Sequence, residues 1–277
     1  MTDETFPPPA GVMFDLDGTL ILSDAMLGGY TLLPGAVDLL TELEQRGFPF
    51  LALTNGSAYP SAQQAPRLRA LGLPIADDRL FTPNSVAAHV FRARGHRRVM
   101  VLGTEGVIAA LEEEGIPTCL PGDDGADAVY VAWAPDCRME HIHAACSAVI
   151  AGAGFYSASD VPFFASKSGR AFGYSCAISG AIARVTGREP EVTGKPSLHA
   201  MTFVADRLGV PVDRVAVVGD DPRVETEMAR SGGAIGIGVT TGTTSAAEWA
   251  ATPAACRPHR VIGGVADLRA ILFGGSA

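Results

Sequence analysis

Apolar, often β-branched runs alternate along the chain with stretches whose apolar residues recur at helical spacing. That alternation predicts βαβ units around a largely parallel sheet. Gly11–Phe14 reads as the first strand. A helix is predicted over 34–46, with Pro34 in its first turn and Gly47 at its stop. Further strands are predicted over 49–53, 98–102, 128–133, 214–218 and 234–239, and helices over 104–114 and 139–151. The stretch after Gly219-Asp220-Asp221 reads as one more helix.

Three of the predicted strands end in polar residues with chemical potential, and open α/β sheets bind ligands at the carboxyl ends of their strands. In Phe14-Asp15-Leu16-Asp17-Gly18-Thr19 an extended backbone points both carboxylates to one side, and Gly18 permits a sharp exit. Two neighbouring anions repel unless a cation neutralises them, and carboxylate oxygens suit the hard ion Mg²⁺. A solvated strand end is the ordinary alternative. Thr54-Asn55-Gly56-Ser57 supplies a hydroxyl and successive backbone N–H groups, a cradle for phosphate oxygens or an ordinary helix cap. Gly219-Asp220-Asp221 places carboxylates after Val215-Ala216-Val217-Val218, with Glu225 about one helical turn farther on. A fourth segment, Gly194-Lys195-Pro196-Ser197, sets a lysine beside a glycine and lets proline direct the chain into a helix. It is not a Walker A sequence, because no glycine stands five residues before Gly194.

Composition narrows the classes. The 277 residues are 47% hydrophobic, enough for a large α/β core with or without a second smaller domain. A net charge of -9 repels polyanions, so no nucleic-acid partner is expected and any phosphate must be held locally. No apolar stretch reaches the roughly 18 to 20 residues of a membrane span. No membrane association is expected, and the acidic, proline-rich start reads as a short disordered tail of a cytoplasmic protein. The five cysteines are scattered without a C-x-x-C pair and read as reduced, mostly buried thiols. His141 and His143 lie two apart on a predicted helix and so face different ways, against a metal pair. The glycine-rich run 232–238 misses dinucleotide-binding spacing and reads as tight strand packing.

Taken together and in order, the four polar segments resemble the four motifs of the haloacid dehalogenase (HAD) superfamily phosphatases. The resemblance spans nearly the whole chain, since the insertion between Thr54 and Lys195 has the size and α/β pattern of the large cap of the type IIA, p-nitrophenyl phosphatase-like, NagD-type branch. It implies a Rossmann-like core with a parallel sheet, formed by residues 1–76 and 192–277, and an inserted α/β cap formed by residues 77–191. It further implies a magnesium-dependent phosphomonoester phosphatase acting on a small phosphorylated metabolite, with homodimers through the cap as an option of the branch. Asp15 would be the nucleophile and Asp17 the acid for the leaving oxygen, then the base for water. Asp220 would complete the Mg²⁺ site with Asp15 and the main-chain carbonyl of Asp17. Thr54 and the amides of Asn55 and Gly56 would bind the phosphoryl group, and Lys195 would neutralise it.

An acid at position 17 favours phosphate esters, because dehalogenases and phosphonatases of similar scaffold lack it. Two features depart from the branch. Glu225 stands where an aspartate is usual and is expected to orient the metal shell through water or Lys195. Phe155-Tyr156-Ser157-Ala158-Ser159-Asp160 replaces an Asn-rich turn of the cap, so the leaving group is not assigned by resemblance. Two other classes stay open at this point: a phospho-acceptor signalling receiver, which also combines acids, threonine and lysine around Mg²⁺, and a non-catalytic binding protein on the same scaffold.

Overall fold

A computed structural model describes residues 5–23, 29–166 and 169–274. The chain divides into two compact units, one made of Met1–Thr54, Gln64–Leu80 and Lys195–Ala277, the other of Asn55–Gln63 and Phe81–Gly194. The sequence-based division at 76/77 and 191/192 lies within four residues of two of these joints. It places 55–63 with the core, whereas that segment packs in the second unit.

The first unit carries a six-stranded sheet in the order Arg260–Ile262, Ile235–Val239, Val215–Gly219, Gly11–Phe14, Phe50–Leu53, Leu80–Phe81. Gly11–Phe14 runs parallel to both of its neighbours, with Phe14 opposite Val218 on one side and Ala52 on the other. Its four residues are buried, as are those of Phe50–Leu53 and Val215–Gly219, which explains their near-continuous apolar sequences. The helix Ala36–Gln45 buries Ala36, Leu39, Leu40 and Leu43, one stripe at helical spacing. It begins later than the sequence reading had it. Gly35 takes a left-handed φ of 80°, and a side chain there would stand 2.6 Å from Cβ of Ala266, so Pro34 lies outside the helix. The run 232–238 packs as expected: a Cβ on Gly238 would lie 2.8 Å from the ring of Trp249. The amino-terminal tail is more ordered than its composition suggests. Phe6 packs edge-on against His259, and the Pro8 carbonyl accepts from Arg214 at 2.6 Å. Residues 1–4 of that tail lie outside the described residues.

The second unit has a five-stranded parallel sheet in the order Glu191–Val192, Gly154–Ser157, Ala128–Val131, Val99–Leu102, Thr118–Cys119. The helices Pro83–Arg94, Glu105–Glu113, Met139–Ile150 and Tyr174–Thr186 belong to it. Phe91 anchors one side of its core through edge contacts with Tyr130 and Tyr156. All five cysteines are free, with Cys119 and Cys146 buried and the other three half-buried. Among the described residues no helix is long and apolar enough to cross a membrane.

Candidate active site

The strand Gly11–Phe14 is where the connections of the first unit's sheet change direction: the chain moves from it to Phe50–Leu53 on one side and returns much later to Val215–Gly219 on the other. Such a switch point leaves a crevice at the carboxyl ends of the two central strands. Asp15 follows one of them directly, and Asp220 follows the other. The Asp15 amide donates to the Val218 carbonyl at 2.8 Å, so the ladder still holds the backbone where the carboxylate leaves the sheet.

Among the described residues Lys195 supplies the one ammonium in this cluster, and it is 1% exposed. Its Nζ pairs with Oδ1 of Asp15 and, at 2.7 Å, with Oε1 of Glu225. Glu225 sits on the π-turn Pro222–Thr226 and is itself 2% exposed. Its second oxygen accepts from the Asp221 amide at 3.3 Å. The glutamate thus holds the ammonium that also meets Asp15. Lys195 precedes the helix Leu198–Leu208, whose N-cap Ser197 accepts from the Ala200 amide at 3.1 Å, so the start of a helix fixes where the lysine chain sets out.

Asp220 is held from a loop that the sequence reading passed over. Oδ2 accepts from the Thr243 amide at 2.6 Å and from the Thr243 hydroxyl at 2.9 Å. Thr241 donates to the Gly18 carbonyl at 2.7 Å, tying that loop to the turn after Asp17. Glycine is required around Asp220: a Cβ on Gly242 would lie 2.1 Å from Oδ2 and one on Gly18 2.5 Å from it. Gly219 makes similar room for Glu225, with 2.1 Å from a built Cβ to Cγ. The pattern Thr-Thr-Gly-Thr after an apolar strand was the available signal.

The electrostatics follow from burial. Desolvation raises the pKa of Asp15, opposed by Lys195 and reinforced by Asp220. It pushes Glu225 up to about 8 despite the adjacent ammonium. Asp220 is raised mainly by burial too, against the hydrogen bonds from Thr243. Burial alone would lower Lys195, but Asp15 and Glu225 outweigh it and raise the group, so the lysine stays charged. Three carboxylates therefore face one cation. That excess of negative oxygen fits a hard divalent ion. Among the described residues no three His, Cys, Asp or Glu side chains form a ready metal cage. The set expected from sequence instead combines the Asp15 and Asp220 carboxylates with a main-chain carbonyl at Asp17.

The remaining expected residues lie as follows. Asp17 is exposed, on a turn closed by Gly18 at φ 80° and bridged to Ile21. Thr54 is half-buried at the carboxyl end of Phe50–Leu53 in the first unit. Asn55 and Gly56 continue from it but belong to the second unit.

The chain resembles known proteins along most of its length. Residues 12–117 match the family described as haloacid dehalogenase-like hydrolase, and residues 192–268 match a HAD-hydrolase-like family. The 5'-nucleotidase YutF of Bacillus subtilis is 29% identical over 212 residues, covering 76% of this chain and 79% of that protein. The solved structure of a p-nitrophenyl phosphatase from Archaeoglobus fulgidus superposes with a TM-score of 0.84 at 27% identity, over 95% of this chain and 98% of that one. A glycerol phosphate phosphatase from Mycobacterium tuberculosis, solved in complex with magnesium, superposes with a TM-score of 0.79 at 26% identity, over 96% and 78% of the two chains.

Proposed function

We propose that this chain, which belongs to the haloacid dehalogenase-like hydrolases and is a phosphatase of their p-nitrophenyl phosphatase-like branch, uses Mg²⁺ and an aspartyl phosphate on Asp15 to hydrolyse small phosphomonoesters. The observation that carries this reading is the buried ammonium of Lys195 shared between Asp15 and Glu225, beside Asp220, at the switch point of the sheet.

An anionic carboxylate attacks an anionic phosphate only where the repulsion is cancelled. Lys195 supplies one positive charge, and its pairing with Glu225 keeps it charged and in place. A divalent ion held by Asp15, Asp220 and the Asp17 carbonyl would supply Lewis-acid charge neutralisation. An Asp15 oxygen forms a bond to phosphorus while the bond from phosphorus to the ester oxygen breaks, and Asp17 gives that oxygen its proton. The Asp17 carboxylate then takes a proton from water, whose oxygen attacks phosphorus. The bond to Asp15 breaks, and inorganic phosphate leaves with both aspartates restored. Thr54 and the amides of Asn55 and Gly56 hold the equatorial oxygens throughout. The inserted second unit is read as the cap of that branch.

The relatives act on a nucleotide, a nitrophenyl ester and glycerol phosphate by their names, so the reading stops at the class of small phosphorylated metabolites. A panel of phosphate esters ranked by kcat/KM would resolve the substrate. With p-nitrophenyl phosphate, activity is expected in Mg²⁺ and none after chelation. Mg²⁺ should also raise the melting temperature, and by more near pH 8 than near pH 5, because buried carboxylates with raised pKa values must lose protons to bind metal. Equal stabilisation at both values would count against a site at Asp15 and Asp220.

Asp17→Asn separates the two chemical steps. With p-nitrophenyl phosphate, which needs little help from an acid, the variant is expected to release one burst of nitrophenol and then stall, leaving phosphate on Asp15. A wild-type protein that itself held its phosphate long after donor removal would favour the receiver reading.

A further inference from the structure

Asn84 is fully buried in the first turn of the helix Pro83–Arg94, where Thr82 already serves as N-cap and Pro83 fills the first position. Local helix chemistry gives no reason for an asparagine there. Its amide is instead satisfied at both ends by remote groups. Nδ2 donates to the Ser57 carbonyl at 3.0 Å, and Oδ1 accepts from the Tyr130 hydroxyl at 3.0 Å. A carbonyl can only accept, so the orientation of the amide is forced, and the phenol must donate to its other end. Tyr130 is fully buried in the strand Ala128–Val131. Thr193, also fully buried, bonds the Pro83 and Ser157 carbonyls at 3.3 Å each, and so fastens the start of the same helix to the end of the unit.

The segment that Asn84 grips follows directly on Thr54. Ser57 is buried, and two close backbone approaches confine its neighbours. A Cβ on Gly194 would stand 2.9 Å from Oδ1 of Asn55, and one on Gly106 would stand 2.6 Å from the Ala58 carbonyl oxygen. The far end of the loop thus meets a buried amide that is hydrogen-bonded at both its ends, and bare glycine backbone approaches its flanks.

We infer that Asn84, oriented by Tyr130, is a positioning residue for the phosphate-binding loop: by fixing the Ser57 carbonyl it holds the Asn55 and Gly56 amides in the orientation with which they bind phosphate. This rests on the reading of Thr54–Gly56 as the phosphate cradle given above. Asn84 touches no substrate. It acts through the loop, and it joins the loop's conformation to the core of the second unit, because its other partner is a central strand of that unit's sheet.

The test compares wild type, Asn84→Asp and Tyr130→Phe as full-length proteins in Mg²⁺ with p-nitrophenyl phosphate, with inorganic phosphate as competitive inhibitor. In Asn84→Asp an acceptor faces the Ser57 carbonyl and pushes it away. Displacing catalytic donors by about 1 Å costs on the order of 10²-fold, and that loss is expected in kcat/KM. Tyr130→Phe leaves the amide unanchored and is expected to lose about tenfold, the worth of one buried hydrogen bond. In both, the inhibition constant of phosphate should weaken in step with kcat/KM, while the Mg²⁺ concentration for half activation stays at the wild-type value. A merely structural role would lower the active fraction without moving either constant, and that result would overturn the inference. Should Asn84→Asp fail to fold, Tyr130→Phe decides alone, and wild-type kinetics in that variant would also overturn it. Loss of the underlying phosphatase reading is recognised separately, by a wild-type protein with no Mg²⁺-dependent turnover.

Discussion

Asp15→Asn is expected to fold, to bind phosphate, and to lose p-nitrophenyl phosphate turnover by about 10⁴-fold or more, the scale seen when a covalent nucleophile is removed. Retention of the fold follows from the charge arrangement. Lys195 keeps its 2.7 Å pair with Glu225, and the repulsion between Asp15 and Asp220 disappears. A circular dichroism spectrum and melting temperature close to wild type, together with absent burst-phase nitrophenol, would satisfy the expectation. Substantial steady-state activity in the folded variant would remove Asp15 from the nucleophile's place and leave it a metal ligand only.

Lys195→Met has a different signature, since it removes the one cation from a buried group of acids. Breaking a buried ion pair in this way costs about 3 to 5 kcal/mol. The loss should depend on pH with a defined sign. An acid whose folded pKa lies above its unfolded value stabilises the protein below the unfolded value, and that contribution disappears as pH rises through the folded one. Glu225 is already held at about 8 with the ammonium present, and without it both Glu225 and Asp15 rise further. Denaturation in metal-free buffer is therefore expected to show the variant close to wild type near pH 5 and most destabilised above about pH 8. An equal deficit at both ends would mean that lost packing of the lysine stem, not charge, explains the change. Catalysis should fail across the whole range.

Much of this site was legible along the chain because strands bury apolar residues and stop where polar ones begin. Asp15, Thr54 and Asp220 each follow such a stop, and the sheet brings all three to the ends of three neighbouring strands. Four predicted strands began one residue early, and 128–133 ran two residues past its end, where burial and a ladder-like bond from the Ala132 amide to the Leu102 carbonyl at 3.0 Å continue. Ala132 shows this: fully buried, it lies beyond the strand Ala128–Val131. What the chain did not announce was contact between residues far apart in order. Lys195 and Asp15 are 180 positions apart, and Thr243 reaches Asp220 across 23. No local periodicity encodes either. The helix start at Ala36 was misread for a related reason, because Ala266 crowds Gly35 from the far end of the chain. Nothing local marks Asn84 either, since its partners Ser57 and Tyr130 lie 27 and 46 positions away.

The position of Gly11–Phe14 inside the sheet also dictates the order in which a growing chain can become an enzyme. Its neighbour on one side is Val215–Gly219, with Gly11 opposite Val215. At about 5 to 20 residues per second, roughly 10 to 40 s of synthesis separate the two strands. For that interval the first strand has one open edge, and Asp15 lacks both Lys195 and Asp220. The second unit's sheet, by contrast, draws all its strands from one continuous stretch, Val99 to Val192, and can close while the first is still waiting. The inserted unit's sheet can therefore close before the first unit has its central pair of strands, and Asp15 meets Lys195 and Asp220 only after residue 220 has emerged.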